Sequence, residues 1–99
     1  MKLQMYKLRV PDETTVLVRS LHPNLKRKIK AALQTILTDP QAGKALKDEL
    51  AGMQSFRVGK FRVIYRIKIN KERVIEIVAI GPRKRIYEET LRLLRGKNE

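Results

Sequence analysis

Between Val58 and Phe61 the chain has only Gly59 and Lys60 in which to reverse direction. Glycine at the first central position of a two-residue loop is what a type II′ hairpin requires, because φ there is positive. The flanking residues alternate with period two, so residues 55–58 and 61–69 read as paired strands. Residues 73–80 read as a third strand, reached through a turn near Asn70-Lys71. That turn can be two or four residues long, and either length leaves the facing of the strands unchanged.

Upstream the period becomes that of a helix. Leu25, Ile29, Leu33, Ile36 and Leu37 fall at i, i+4, i+8, i+11 and i+12, one apolar stripe, with Lys26, Arg27 and Lys30 largely off it. Pro23 suits the first turn with His22 as cap, and Asp39-Pro40 stops the helix. Residues 12–21 read as a short helix capped by Asp12, although Thr14, Thr15, Val16 and Val18 are mediocre helix formers. Residues 4–10 alternate as a first strand that Pro11 ends. Residues 41–52 form a polar connection with room for one helical turn. After Gly81-Pro82, the spacing of Tyr87, Leu91 and Leu94 predicts a short C-terminal helix ending at Gly96. The expected layout is α+β: one domain over residues 1–99, with two N-terminal helices packed on one face of a small antiparallel sheet.

Composition narrows the chemistry. With no cysteine there is no disulfide framework, Cys-based zinc site or thiol nucleophile, which fits a reducing cytoplasm. His22, the single histidine, serves better as a cap than as a catalyst, so neither a metal nor a cofactor is expected. Gly-rich phosphate loops, nucleophile elbows and dinucleotide fingerprints are missing. Apolar runs reach four or five residues, against about 20 for a bilayer span, so no membrane role is expected. What stands out is charge. Twenty-three Lys and Arg against ten Asp and Glu give +13, well beyond the magnitude of about 2–8 that suits a small soluble domain. Such an excess points to a polyanionic partner.

The hairpin register tells where that charge goes. Val58 opposes Phe61, Arg57 opposes Arg62, and Phe56 opposes Val63. Phe56, Val58, Phe61, Val63, Tyr65 and Ile67 then share a core face, while Arg57, Arg62, Arg66 and Lys68 share the other. Like charges directly opposite destabilise a sheet, so the second face reads as an anion site, since arginine matches phosphate oxygens bidentately. Just after the last strand come Arg83, Lys84, Arg85 and, four residues beyond Arg83, Tyr87. Arginine, lysine and tyrosine can hold phosphates, stabilise a phosphorane and move a proton. RNA cleavage by its own 2′-hydroxyl needs little else.

Three segments together resemble the RelE/ParE superfamily of toxins from type II toxin–antitoxin modules. They are Leu50-Ala51-Gly52-Met53, the hairpin Ser55-Phe56-Arg57-Val58-Gly59-Lys60-Phe61-Arg62-Val63-Ile64-Tyr65, and Ala79-Ile80-Gly81-Pro82-Arg83 with Ile86-Tyr87. The similarity runs from the His22 helix to Tyr87. It implies the helix–helix–sheet fold of microbial ribonuclease-like toxins and an acidic antitoxin, encoded as a separate chain. In that superfamily the RelE-like branch cuts mRNA in the ribosomal A site, and the ParE-like branch poisons DNA gyrase.

By position, the basic and tyrosine sites of RelE-like members carry over to Arg57, Arg62, Arg83 and Tyr87. Where some members have a second strand lysine and a longer turn, this chain has Gly59 and Lys60. The favoured expectation is a ribosome-dependent mRNA endonuclease without metal or cofactor. Lys26, Arg27, Lys30, Lys60, Arg66, Lys68, Lys84 and Arg85 would then contact RNA phosphates. The alternative is a ParE-like gyrase inhibitor without nuclease activity. A plain nucleic-acid-binding module fits less well, because Phe56, Phe61 and Tyr65 lie on the core face rather than exposed for stacking.

Overall fold

A computed structural model describes residues 6–97. In chain order the elements are β1 (Lys7–Arg9), α1 (Asp12–Arg19), α2 (Pro23–Thr38), β2 (Lys44–Ala45), β3 (Gln54–Val58), β4 (Phe61–Ile69), β5 (Arg73–Pro82) and α3 (Arg83–Lys97). Residues 4 and 5 of the expected first strand lie outside the described residues. The caps follow local chemistry. His22 Nδ1 accepts from the Asn24 N–H at 3.1 Å, and Pro23 fills the first position of α2. Asp12, expected as the cap of α1, lies inside its first turn instead, with Pro11 at the cap position. There its carboxylate faces the positive end of the helix dipole.

The sheet order is β1-β5-β4-β3-β2. The three strands of the meander pair antiparallel as expected, with β2 antiparallel on β3. The sheet as a whole is mixed, because β1 pairs parallel with β5. Hairpin reasoning constrains only strands joined by tight turns. β1 reaches β5 through both helices and the rest of the sheet, so no turn forces its direction.

The two N-terminal helices lie on one face of the sheet, as expected, and the C-terminal helix covers the other. Ile29, Ala32 and Ile36 of α2 pack with Val58, Val63, Tyr65, Ile75, Ile77 and Ile80. On the other side Ile86 of α3 packs with Leu50, Met53, Ile64 and Ala79, and Leu91 and Leu94 add to it. The C-terminal helix is therefore not short: it runs 15 residues, through Gly96, because this second core gives it a face to bury. A bulge serves both cores. Tyr65 pairs with Ile77 while Ile64 pairs with Ala79, leaving Val78 as the extra residue. Val78 and Ala79 both turn towards α3, and Ile80 returns to the first core.

Tyr65 ties the irregular connection to the sheet. Its hydroxyl donates to the Pro40 carbonyl at 2.7 Å and accepts from the Gly43 N–H at 2.9 Å. A Cβ on Gly43 would lie 2.6 Å from that oxygen, so glycine is required there for close approach rather than for φ. Among the described residues no helix is long and apolar enough to cross a membrane.

Candidate functional site

The hairpin tip adopts the expected geometry. Gly59 has φ of 60°, while Lys60 does not share the positive φ, which selects type II′ over type I′. The register is also as expected: Val58 with Phe61, Arg57 with Arg62, Phe56 with Val63. In a two-residue hairpin the closing pair carries the ladder bonds, so Arg57 and Arg62 form the next, non-hydrogen-bonded pair, whose side chains are closer. Neither arginine has a carboxylate partner among the described residues.

The two arginines are held differently. Arg57 is exposed, with Nε 3.4 Å from the Gly59 carbonyl. Arg62 is half-buried; its Nη1 donates to Ser55 Oγ at 3.4 Å, and its Nε is buried without a partner. On its other flank Arg62 faces Gly81, where the place a side chain would take is already filled: Ile86 Cδ1 lies 3.0 Å and Glu89 Oε1 3.6 Å from where a Cβ would stand.

α3 closes the site. Its first backbone N–H, that of Arg83, donates to the Lys60 carbonyl at 2.8 Å and so fixes the helix start to the hairpin tip. Arg57, Gly59, Lys60, Pro82, Arg83 and Lys84 line a groove of about 470 Å³. No acidic residue occupies the first turn of α3. Arg83, Lys84 and Arg85 instead crowd the positive end of the helix dipole, where carboxylates are favoured. Opposed arginines and cations at a helix N-terminus are both unfavourable in the free protein, and an anion relieves both.

One turn beyond Arg83, the Tyr87 hydroxyl lies 3.1 Å from Ser55 Oγ. Ser55 is 2 % exposed, so a buried hydroxyl joins Arg62 of the sheet to Tyr87 of the helix. Sequence reasoning missed Ser55. The signal was there: alternation puts it on the same face as Arg57.

Arg62 and Tyr87 lie behind the groove without lining it, and the other expected contacts are not part of it either. Arg66 and Lys68 flank Glu76, bonded through Arg66 Nε and Lys68 Nζ. Burial alone would raise the Glu76 pKa, but the Arg66 hydrogen bond and the Arg66 and Lys68 charges outweigh it and hold the carboxyl below its ordinary range. Lys26, Arg27 and Lys30 ride on α2, which packs on the opposite face of the sheet. Arg27 bonds Asn24 at 3.2 Å. Arg85 is exposed beside the groove without lining it. Among the described residues no group of three His, Cys, Asp or Glu side chains is placed to hold a metal ion.

Comparison with known proteins agrees with this architecture. Residues 12–87 match the profile of the family described as the ParE toxin of the type II toxin–antitoxin system parDE. A chain of the toxin–antitoxin complex RelBE2 from Mycobacterium tuberculosis superposes with TM-score 0.69 at 27 % identity, covering 83 % of this chain and 95 % of that one. One from the archaeal RelE–RelB complex of Pyrococcus horikoshii gives 0.64 at 25 %, covering 82 % and 98 %. The YoeB/ParE toxin from Agrobacterium tumefaciens shares the fold, with TM-score 0.65 at 22 % identity over 77 % and 96 %. Comparison with curated proteins by sequence gave no match.

Proposed function

The chain belongs to the ParE toxin family of type II toxin–antitoxin systems, and from that premise we propose that it acts as a ribosome-dependent mRNA endonuclease. The observation that carries the reading is the pair Arg57–Arg62, neither with a carboxylate partner among the described residues, of which Arg57 lines a groove that Lys60, Arg83 and Lys84 complete. A site whose donors are nearly all guanidinium and ammonium groups is built for a phosphodiester. The reaction such groups assist is attack of the RNA 2′-hydroxyl on the adjacent phosphorus. The bond to the 5′-oxygen breaks, leaving a 2′,3′-cyclic phosphate and a 5′-hydroxyl.

In this reading Arg57 and Arg62 take the non-bridging oxygens as charge builds on them, and Arg83 stabilises the same charge from the helix side. Tyr87 moves a proton, its ring held by the second core and its hydroxyl by Ser55. Lys26, Arg27 and Lys30 contact ribosomal RNA from the far face as sequence-blind phosphate contacts. The partner that silences the toxin in the cytoplasm is an acidic antitoxin drawn by the +13 surface. Complexes with an antitoxin are the form in which the mycobacterial and archaeal structures were solved.

The family profile itself, that of ParE, favours a second reading in which the same face inhibits DNA gyrase. The two separate in parallel assays of reconstituted translation and of gyrase supercoiling. The endonuclease reading predicts a fragmented reporter mRNA with supercoiling untouched. Intact mRNA with supercoiling blocked would replace it by the gyrase reading.

A further inference from the structure

The sheet face that carries Arg57 and Arg62 has a second cationic region at its other end. β4 spans nine residues from the hairpin tip to the β4–β5 turn, and its residue steps of about 3.3 Å separate the two ends by about 26 Å. At the far end Arg9, Lys68 and Lys71 line a cleft of about 350 Å³ with Asn70, Glu72 and Val74. Arg9 comes from β1, beside Glu76 of β5, which in turn lies beside Arg66 of β4, so three strands present their charges together. The carboxylates here are already engaged. Glu76 holds Arg66 and Lys68, and Glu72 holds Lys7 at 2.7 Å. Among the described residues Lys71 has no carboxylate partner, and Arg9 makes no ion pair within 4 Å, although its charge adds to the hydrogen bond and charge of Lys7 in holding Glu72 below its ordinary range.

We propose that this cleft is a second phosphate-binding site, which grips the backbone of a single-stranded RNA whose cut phosphate lies at the hairpin tip. The proposal rests on the RNA-cutting reading above. The lining argues for RNA over an acidic protein. Its single aliphatic side chain, Val74, is 6 % exposed, whereas protein interfaces draw their energy from apolar and aromatic anchors that become buried. Phosphate contacts need only the cations. At about 3.4 Å per stacked nucleotide the two sites are at least about eight nucleotides apart, since α3 packs on Ile64 between them and the strand must pass around it. A short RNA therefore reaches one of them and a longer RNA reaches both.

The test uses the full chain with Arg9→Gln and Lys71→Gln combined, both exposed positions away from the groove. Binding of labelled, uncleavable 2′-O-methyl RNAs of about four and about sixteen nucleotides is followed by fluorescence anisotropy across a salt series. The longer RNA should lose about 1.4 from the magnitude of its log–log salt slope, about 0.7 per contact, while the shorter RNA is unaffected. An unchanged slope for the longer RNA overturns the proposal, and so does an equal loss for both lengths. A poly-glutamate peptide sensitive to the double variant, with the longer RNA insensitive, assigns the cleft to an acidic protein and overturns it as well. If the slope changes as expected but the wild type cuts no mRNA, the second site stands and the endonuclease reading falls.

Discussion

Replacing Arg57 with glutamate should make this protein more stable while destroying its activity. Arg57 and Arg62 face each other as a non-hydrogen-bonded pair, with Cα atoms about 4.5 Å apart in such a register. Cross-strand charge pairs change stability by roughly 0.2–1 kcal/mol. Arg57→Glu turns a repulsive pair into an attractive one, and the exposure of Arg57 limits the gain to about 0.5–1 kcal/mol. For a domain of this size that raises Tm by about 2–8 °C. The buried isoleucines of the two cores, at about 1.5–3 kcal/mol each, explain why the fold tolerates the repulsion at all. Thermal unfolding by circular dichroism at low salt reads the gain, and about 1 M salt should erase most of it. Cleavage of mRNA on ribosomes should be lost in the same variant. A lowered Tm, or cleavage at the wild-type rate, would refute the claim that the pair is kept for an anion at the cost of stability.

Tyr65→Phe strips the partner from the half-buried Gly43 N–H and the Pro40 carbonyl. It should cost about 1–3 kcal/mol in urea denaturation, without touching the groove. Burial raises the Tyr65 pKa, only partly offset by the Gly43 N–H, and Asp39 adds to the rise. The folded state therefore binds this proton more tightly than the unfolded one. Its contribution is complete below the unfolded pKa of about 10 and declines as pH climbs past it. Denaturation curves across that range should flatten in Tyr65→Phe, and an alkaline limb identical to wild type would count against this. Ser55→Ala releases Arg62 and Tyr87 from each other, so cleavage should fall about tenfold to a hundredfold. Antitoxin affinity should hold and Ser55→Thr should restore cutting, whereas equal activity in Ser55→Ala would make the network structural only.

How far the sequence reveals this arrangement depends on the range of the forces involved. The hairpin is legible because Gly59 and strict alternation are local, and together they dictate the Arg57–Arg62 opposition. The α2 helix was legible for the same reason, through its stripe and its His22 cap. The parallel pairing of β1 was not, since no turn links it to β5. The bounds of α3 were legible to within a residue, but the face it covers was not: Val78 and Ala79 turn towards it through a bulge that leaves no periodic trace. Arg66 and Lys68 share the alternation of Arg62, yet Glu76, facing Arg66 across β4 and β5, claims them. Ser55 went unread because alternation gives only its face, shared with Arg57, and its role appears when Tyr87 arrives from the helix.

The most direct measurement is primer-extension mapping of mRNA 5′ ends on translating ribosomes, with the wild type beside Arg62→Ala and Arg83→Ala. New ends within the reading frame should appear with the wild type and vanish with either variant, each of which takes a guanidinium from the proposed phosphate site. Identical maps with and without the protein, or undiminished cutting by both variants, would contradict the account.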